Sequence, residues 1–494
     1  MTEKEPADLI PDLTRPRRIH VVAAGGAGMS ALATVLVQQG HHVTGSDQVQ
    51  SEALKRLSDQ GVQTFVGHAA EHVHGSEFLV VSTAVGAQNV ELREAERLGI
   101  AILRRKDLLP ALALLQPFIS ISGTHGKTTT SSLLTVALMG AGAHPSFLIG
   151  ASVTSLGVAA AHQSGKHFVL EADESDGSFL AGPRAAALIT NIEPDHLEFW
   201  GSWEELLEGF RRFLDATTGP RVVCADDPVA AGLGSEFGAV SYGLSEAASY
   251  RMTDLQLGSR SCSFTLLLPQ SNNSAERAVE GISTDSPLLE SVQQVSVQQV
   301  SVHLAVPGLH NATNAAGALA LVAELGYPIQ AAAEGLRSYS GVSRRFEQRG
   351  SAAGVQFVDD YAHLPTEVRA ALAAGRSGDW NRVVAVFQPH RYSRTQALWQ
   401  EFAEAFGDAD LLVLTEIYPA GEEPRGGVTG RLLVDAVSAA HPDAKVVWCP
   451  ELSEAATYLG AELVAGDLCM SIGAGDVTGI ADLVLPILRG RAAS

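Results

Sequence analysis

The run Ile121-Ser-Gly-Thr-His-Gly-Lys-Thr-Thr-Thr130 leaves this chain little choice of fold. Residues 118–121, apolar but for Ser120, read as a buried strand, and residues 131–139 continue with helical character up to Gly140. A strand therefore feeds through a glycine-bearing loop directly into a helix whose first turn holds Lys127 and Thr128. Such a unit belongs to a parallel sheet covered by helices. The unpaired N–H groups and the positive dipole end of that first turn attract phosphate. Gly123 and Gly126 let the backbone approach phosphate oxygens, with Thr124 and His125 completing the loop. Lys127 can reach the terminal phosphates of a nucleoside triphosphate such as ATP, and a hydroxyl of Thr128 or Thr129 can ligate Mg²⁺. The spacing departs from the standard phosphate loop, which has glycine where this chain has Ile121. A mere helix-capping turn is the plainer alternative, but Gly-Lys-Thr-Thr at a strand-to-helix junction rarely arises for packing alone.

Two further αβ regions flank this unit. Residues 18–24 form a β-branched strand that enters Gly25-Gly26-Ala27-Gly28-Met29-Ser30 and a helix ending near Gly40. A second strand, 42–45, closes in Ser46-Asp47, with Asp47 where Rossmann-like folds set an acid against a ribose. Strands at 78–82 and 100–103 extend the first domain, residues 1–113. Ala23 replaces the first glycine of the usual triplet, which argues against a tight dinucleotide fingerprint but not against a diphosphate. The second domain, 114–318, contains strands 167–172 and 185–192 that end in Asp173-Glu174-Ser175-Asp176 and Glu193-Pro194-Asp195-His196. Parallel strands present their carboxyl ends to one crevice, so Glu174 and His196, expected on neighbouring strands, would join Thr128 around Mg²⁺. A solvated acidic turn and a helix-capping or core imidazole are the competing readings. Residues 270–302, rich in Ser, Asn and Gln with a duplicated Ser-Val-Gln-Gln-Val, read as an inserted surface loop or hairpin. The third domain, 319–494, has strands at 356–359, 382–387, 411–414, 445–448 and 468–472. The expected class is α/β in three domains: Rossmann-like, a central P-loop ATPase-like parallel sheet, and Rossmann-like again.

A formal charge of −21 argues against nucleic-acid binding, which draws its affinity from Lys and Arg. Anionic substrates must then meet local basic patches, at Arg344-Arg345 and at His390-Arg391-Tyr392-Ser393-Arg394. The latter loop and the one carrying Tyr361 and His363 both follow strands, and arginines so placed can clamp a carboxylate. No apolar run approaches the ~20 residues of a membrane helix, and the polar first 18 residues lack a signal core, so a cytoplasmic address and no membrane partner are expected. The four cysteines lack metal-ligand spacing and read as buried thiols.

Taken together, these segments resemble the Mur ligase family over nearly the whole chain. The resemblance rests on residues 25–30, 123–130, 171–176, 191–196, 307–314, 342–346, 359–367, 387–395, 418–422 and 473–476. It implies an ATP- and Mg²⁺-dependent ligase of peptidoglycan synthesis that joins L-alanine to the lactyl carboxylate of UDP-N-acetylmuramate through an acyl phosphate. The alternative within the family attaches a recycled tripeptide to the same sugar nucleotide. An oxidoreductase or a noncatalytic nucleotide-gated protein fits the phosphate loop poorly. By motif, Gly25, Gly26, Gly28, Met29, Ser30 and Asp47 would hold the UDP-sugar, and His310, Asn311 and Arg344 would join the 123–129 loop around ATP. Tyr361, His363, Arg391 and Arg394 would hold the amino acid, His363, Arg391 and Arg394 acting with Lys127 in catalysis. The resemblance also implies a swinging third domain, hinged near 318–325, in a monomer or weak homodimer. Ala23, Leu309, Leu364 and Arg425 depart from the family pattern.

Overall fold

In the first sheet of the computed structural model, β1 (Arg18–Val22), β2 (His42–Asp47), β3 (Gln63–Val66), β4 (Phe78–Val81) and β5 (Ala101–Arg104) are all parallel, in the order β3-β2-β1-β4-β5. The structure describes residues 10–269 and 298–493. Ile19, Val21, Val22, Leu79 and Val80 have no exposed surface, because helices cover both faces of the central strands. Those helices are α1 (Ala27–Gln38), α2 (Glu52–Asp59), α3 (Val90–Leu98) and α4 (Arg105–Leu115). Ser51 accepts the Leu54 N–H at the start of α2, and α3 runs from an Asn89 cap to Gly99 at φ 69°. The strand order reverses at β1 and β4, which opens a crevice at the carboxyl end of β1. β3, a partly exposed Gln-Thr-Phe-Val, is a strand the sequence reading missed, since it carries no apolar run.

Among the described residues the central sheet has ten strands. They are β6 (Phe118–Ser122), β7 (Ser146–Val153), β8 (Val158–Ala161), β9 (Phe168–Glu171), β10 (Arg184–Ile189), β11 (Arg221–Cys224), β12 (Val240–Gly243), β13 (Tyr250–Leu257), β14 (Cys262–Leu267) and β15 (Gln299–Leu304). Their order is β15-β14-β13-β12-β11-β10-β6-β9-β7-β8. β6 is buried throughout and pairs in parallel with β9 on one side and β10 on the other, while β14, β15 and β8 close the edges antiparallel. The expected insertion at 270–302 lies outside the described residues up to 297, and its last residues belong to β15.

α5 (Lys127–Gly140) packs against the helices Leu309–Glu324 and Ile329–Gly335. The last of these meets α5 glycine to glycine: a Cβ on Gly335 would lie 2.7 Å from the Gly140 Cα. Gly335→Ala should therefore cost about 1–3 kcal/mol of overpacking, seen as a lower urea midpoint; an unchanged midpoint would mean the two helices are not held this closely.

Two boundaries move. Residues 318–325 were expected to be a hinge and 319 the start of the third domain, yet they lie within or directly after the helix Leu309–Glu324 and pack in the central core with Ile329, Leu336, Tyr339 and Val342. An alanine-rich helix without an amphipathic break is buried almost all round, so it cannot divide two domains at its middle. The chain crosses near residue 342, where Thr154 N–H bonds Gly341 O and Ser343 N–H bonds Ser152 O, each at 2.9 Å.

The third sheet holds β16 (Glu347–Ala352), β17 (Val355–Asp360), β18 (Arg382–Phe387), β19 (Leu411–Leu414), β20 (Val446–Trp448) and β21 (Asp467–Ile472), in the order β16-β17-β21-β18-β19-β20. Only β16 is antiparallel to its neighbour. No helix among the described residues is long and apolar enough to cross a membrane. The four cysteines are free and buried.

Candidate active site

The phosphate loop is built as a close approach of backbones. Gly123 has φ 129°, and a side chain there would collide with the Thr190 hydroxyl and sit 2.8 Å from Asn191 O. Gly126 caps α5 at φ 80°, with Asn314 lying against it. The turn after β10 braces the loop: Thr124 N–H bonds Asn191 O at 3.0 Å, His125 N–H bonds Asn191 Oδ1 at 2.8 Å, and Glu193 N–H bonds Thr124 Oγ1 at 2.8 Å. Lys127 Nζ donates to Gly123 O at 2.8 Å and to both Glu174 oxygens at 2.9 Å. Burial disfavours the ammonium, but the charges of Glu174, Asp173 and Glu171 prevail and raise it above the ordinary lysine range.

The acid beside Thr128 is Glu171, not the expected Glu174. Thr128 Oγ1 donates to Glu171 Oε1 at 2.8 Å, and Glu171 Oε2 accepts Gly150 N–H at 2.6 Å. Glu174 lies 2% exposed beneath Lys127, off the cavity wall, and burial pushes it up to about 7. The reason is local: after β9 the chain turns back on itself through Ser175 N–H to Asp173 Oδ1 and Gly177 N–H to Glu174 O. Period-two alternation was the missed signal, because Glu171 shares a strand face with Val169, which packs in the α5 core. Strands β9 and β10 are not neighbours either; β6 lies between them, and the loop that follows it is bracketed by both ends. Thr128, Glu171, Asp173, Asp195 and His196 thus line one wall, while Thr129 turns inward at 6% exposed. His196 sits in the left-handed region at φ 55°, its ring 3.3 Å from Asp195 Oδ2. Among the described residues no three His, Cys, Asp or Glu side chains close into a metal cage.

The third domain contributes the opposite wall. Tyr361 lies under two guanidinium groups, Arg344 at 4.9 Å and Arg345 at 5.2 Å. Arg344 is tied down, donating to Gly473 O at 2.8 Å and Gly475 O at 3.1 Å and pairing with Asp359 at 3.3 Å. Arg345, besides Tyr361, has a longer ion pair, 3.7 Å to Glu367, and both arginines border the cavity. Arg344, expected at ATP, is thus committed to backbone carbonyls and Asp359, and Arg345 is the more available charge. Arg394 Nη1 donates to His390 Nδ1 at 3.1 Å, and Arg391, at φ 69°, reaches Glu198 of the central domain at 3.9 Å.

His363 donates from Nδ1 to Tyr361 O at 3.0 Å, which leaves Nε2 as its acceptor. Burial pushes this imidazole down to about 4. A depressed histidine binds its proton more readily when unfolded, so the stability it contributes is complete above the unfolded value near 6.5 and is lost as pH falls through about 4. Acidification from pH 7 to 4 should thus lower the melting temperature of the wild type further than that of His363→Gln; parallel curves would contradict the buried neutral ring.

Other expected contacts shift as well. Asn311 donates to the Pro307 carbonyl just before its own helix at 2.6 Å, and His310 is half-buried against Gly308, its imidazole pushed down to about 4 by desolvation; neither borders the cavity. Asn314, missed from sequence, is the residue of this helix that touches the phosphate loop. In the first domain Gly25 and Ser30 face the cavity together with Thr34, Arg56 and Gln60. Met29 does not, being 5% exposed in the core, because α1 turns that position toward the sheet. Gly28 faces Arg105, Asp47 accepts the Gly25 N–H at 2.8 Å, and Ala23 holds φ 60°, the conformation that makes glycine usual there.

All three domains enclose a single cavity of about 850 Å³ that runs from the Gly25 turn past the phosphate loop to Arg391 and Arg394. Family models match the chain in three consecutive blocks: "Mur ligase family, catalytic domain" at residues 18–116, "Mur ligase middle domain" at 121–322 and "Mur ligase, glutamate ligase domain" at 344–475. The chain belongs to the Mur ligase family. Among its Mur relatives, the UDP-N-acetylmuramate–L-alanine ligase of Renibacterium salmoninarum is 39% identical over 479 residues, covering 95% of this chain and 96% of its own. That of Kineococcus radiotolerans is 41% identical over 490 residues, covering 97% and 98%. The solved UDP-N-acetylmuramate-alanine ligase of Thermotoga maritima has the same Mur fold, with a TM-score of 0.78, 24% identity, and coverage of 97% of this chain and 100% of its own.

Proposed function

We propose that this Mur ligase joins L-alanine to the lactyl carboxylate of UDP-N-acetylmuramate at the expense of ATP, giving UDP-N-acetylmuramoyl-L-alanine, ADP and phosphate in the cytoplasm. The observation that carries this reading is end-to-end similarity at about 40% identity to relatives of that name, combined with one cavity bordered by a phosphate loop and an arginine-lined wall. The tripeptide-attaching alternative is not favoured: the murein peptide ligase of Psychrobacter arcticus, 20% identical, shares only the fold.

The carboxylate attacks the γ-phosphorus of ATP and ADP departs, leaving an acyl phosphate. The amine of L-alanine then adds to the activated carbonyl, and the tetrahedral adduct expels phosphate. Positioning and electrostatics carry most of such a reaction. The Gly123–Gly126 backbone and Lys127 hold the phosphates and offset charge on the transferring group. Arg345 lies on the opposite wall, where it can face the same charge, and Arg391 and Arg394 are placed to pair with the amino-acid carboxylate. His363 Nε2, left as the acceptor by the Nδ1 bond to Tyr361 O, would receive the ammonium proton. Mg²⁺ fits the oxygen-rich corner of Thr128, Glu171 and Asp173 with His196 alongside, an incomplete donor set of the kind this ion fills with water and phosphate oxygens. When bound there, the ion would neutralise phosphate charge.

ADP release by the purified protein, with ATP, Mg²⁺ and UDP-N-acetylmuramate, should require L-alanine. Release with the tripeptide instead would move the assignment to the alternative, and release with neither would refute the ligase reading.

A further inference from the structure

His125 belongs to the phosphate loop, yet its ring does not border the cavity. Its backbone is held within the central domain, the N–H by Asn191 Oδ1 at 2.8 Å and the carbonyl by Thr190 Oγ1 at 2.5 Å and Asn191 Nδ2 at 3.1 Å. The ring points instead at the third domain. Nε2 lies 3.1 Å from Glu193 Oε2 and 3.1 Å from the Thr366 hydroxyl, and Nδ1 lies 3.3 Å from Glu367 Oε1. Thr366 Oγ1 also donates to Glu193 Oε2 at 3.1 Å, so the contact is a small network rather than one pair.

Glu367 extends the connection. Its Oε2 accepts the backbone N–H of His363 at 2.9 Å and of Leu364 at 3.3 Å, while its Oε1 faces His125 and, at 3.7 Å, Arg345. One carboxylate thus binds the loop that carries the amino-acid candidates and the ring that grows from the ATP loop. We propose that His125 is a positioning residue, an interdomain pin that locks the amino-acid wall of the third domain onto the phosphate loop through Thr366 and Glu367. This deepens the ligase reading and rests on it for the identity of the amino acid.

Packing alone does not require an imidazole here. A ring with polar nitrogens on opposite edges is suited to meeting carboxylates of two domains at once. Burial opposes its charge, but Glu193 and Glu367 raise it to about 9, so the bridge is ionic at neutral pH. The bonds within the loop backbone use no atom of the ring, so its removal leaves the phosphate cradle intact.

The test compares wild type, His125→Ala, Thr366→Val and the double variant of the full-length protein. His125→Ala should raise KM for L-alanine about tenfold or more, within the range of coupling between sites. Its dissociation constant for a fluorescent ADP analogue should stay within about twofold, since the ring does not touch the cavity. Small-angle scattering with the ADP analogue, Mg²⁺ and UDP-N-acetylmuramate should show a larger radius of gyration for the variant, and this readout does not depend on which amino acid is the substrate. Thr366→Val should do the same more weakly, with a less than additive double variant. Equal losses of ADP-analogue affinity and L-alanine KM would make His125 an ATP contact and overturn the pin, as would an unchanged radius together with an unchanged KM. A wild type that compacts but does not use L-alanine would refute the ligase reading while leaving the pin supported.

Discussion

Lys127→Ala is expected to lower kcat by at least ~10², the scale for losing one positioned donor worth roughly 3 kcal/mol. The lysine is the positive side chain that the loop presents to the cavity, and three carboxylates keep it charged in spite of its burial. Removing it has a second consequence. Glu174, already pushed up to about 7 by burial, loses its ion partner at 2.9 Å. Stripping one member from a buried pair costs up to about 3–5 kcal/mol; Glu174 can escape part of that by taking up a proton, so the single variant should be less stable, but by less than this amount. Combining it with Glu174→Gln separates the two effects: the double variant should regain stability in a denaturation series but not turnover. Near wild-type turnover in the single variant would remove the phosphate loop from the mechanism.

Glu171→Gln should raise the Mg²⁺ concentration for half-maximal rate by at least about tenfold, since even outer partners of a metal site contribute on the order of 10–100-fold in affinity. The glutamine keeps the size of the side chain and an oxygen for the Thr128 hydroxyl or the Gly150 N–H, so the loss falls on charge at the cavity wall. Glu174→Gln should instead leave the Mg²⁺ requirement nearly unchanged and act through Lys127, its partner at 2.9 Å. Titrating Mg²⁺ at saturating ATP in both variants decides the matter, because the reverse ranking would return the metal role to Glu174.

The contrast between these two acids shows where sequence reading reached its limit. Strand ends were legible where an apolar run such as residues 411–414 stops abruptly at a polar residue, and β19 spans Leu411–Leu414 as expected. The choice within Glu171-Ala-Asp-Glu-Ser-Asp176 was only partly legible: alternation with Val169 points Glu171 toward α5, but where β9 ends and how tightly the next turn folds back decide the place of Glu174. Arg344 and Arg345 pose the same problem. Adjacent in sequence, they differ because Arg344, at φ 62°, is directed onto the Gly473–Gly475 carbonyls. Asn311 and Asn314 differ by most of a helical turn, which sets one on the Pro307 carbonyl and the other on Gly126.

Local order therefore determined the α/β class and the phosphate loop: strand, glycine turn and helix dipole are short-range properties written within about ten residues. The ligase reaction was implied only by the resemblance of ordered segments along nearly the whole chain. Tertiary structure decided which of two neighbouring acids or arginines meets the cavity, that residues 318–325 are core rather than hinge, and that His125 faces another domain across a separation of 242 residues. Those outcomes depend on the direction in which a backbone turn leaves its strand and on what the opposing domain presents there, and neither is set by the residues that carry the motif.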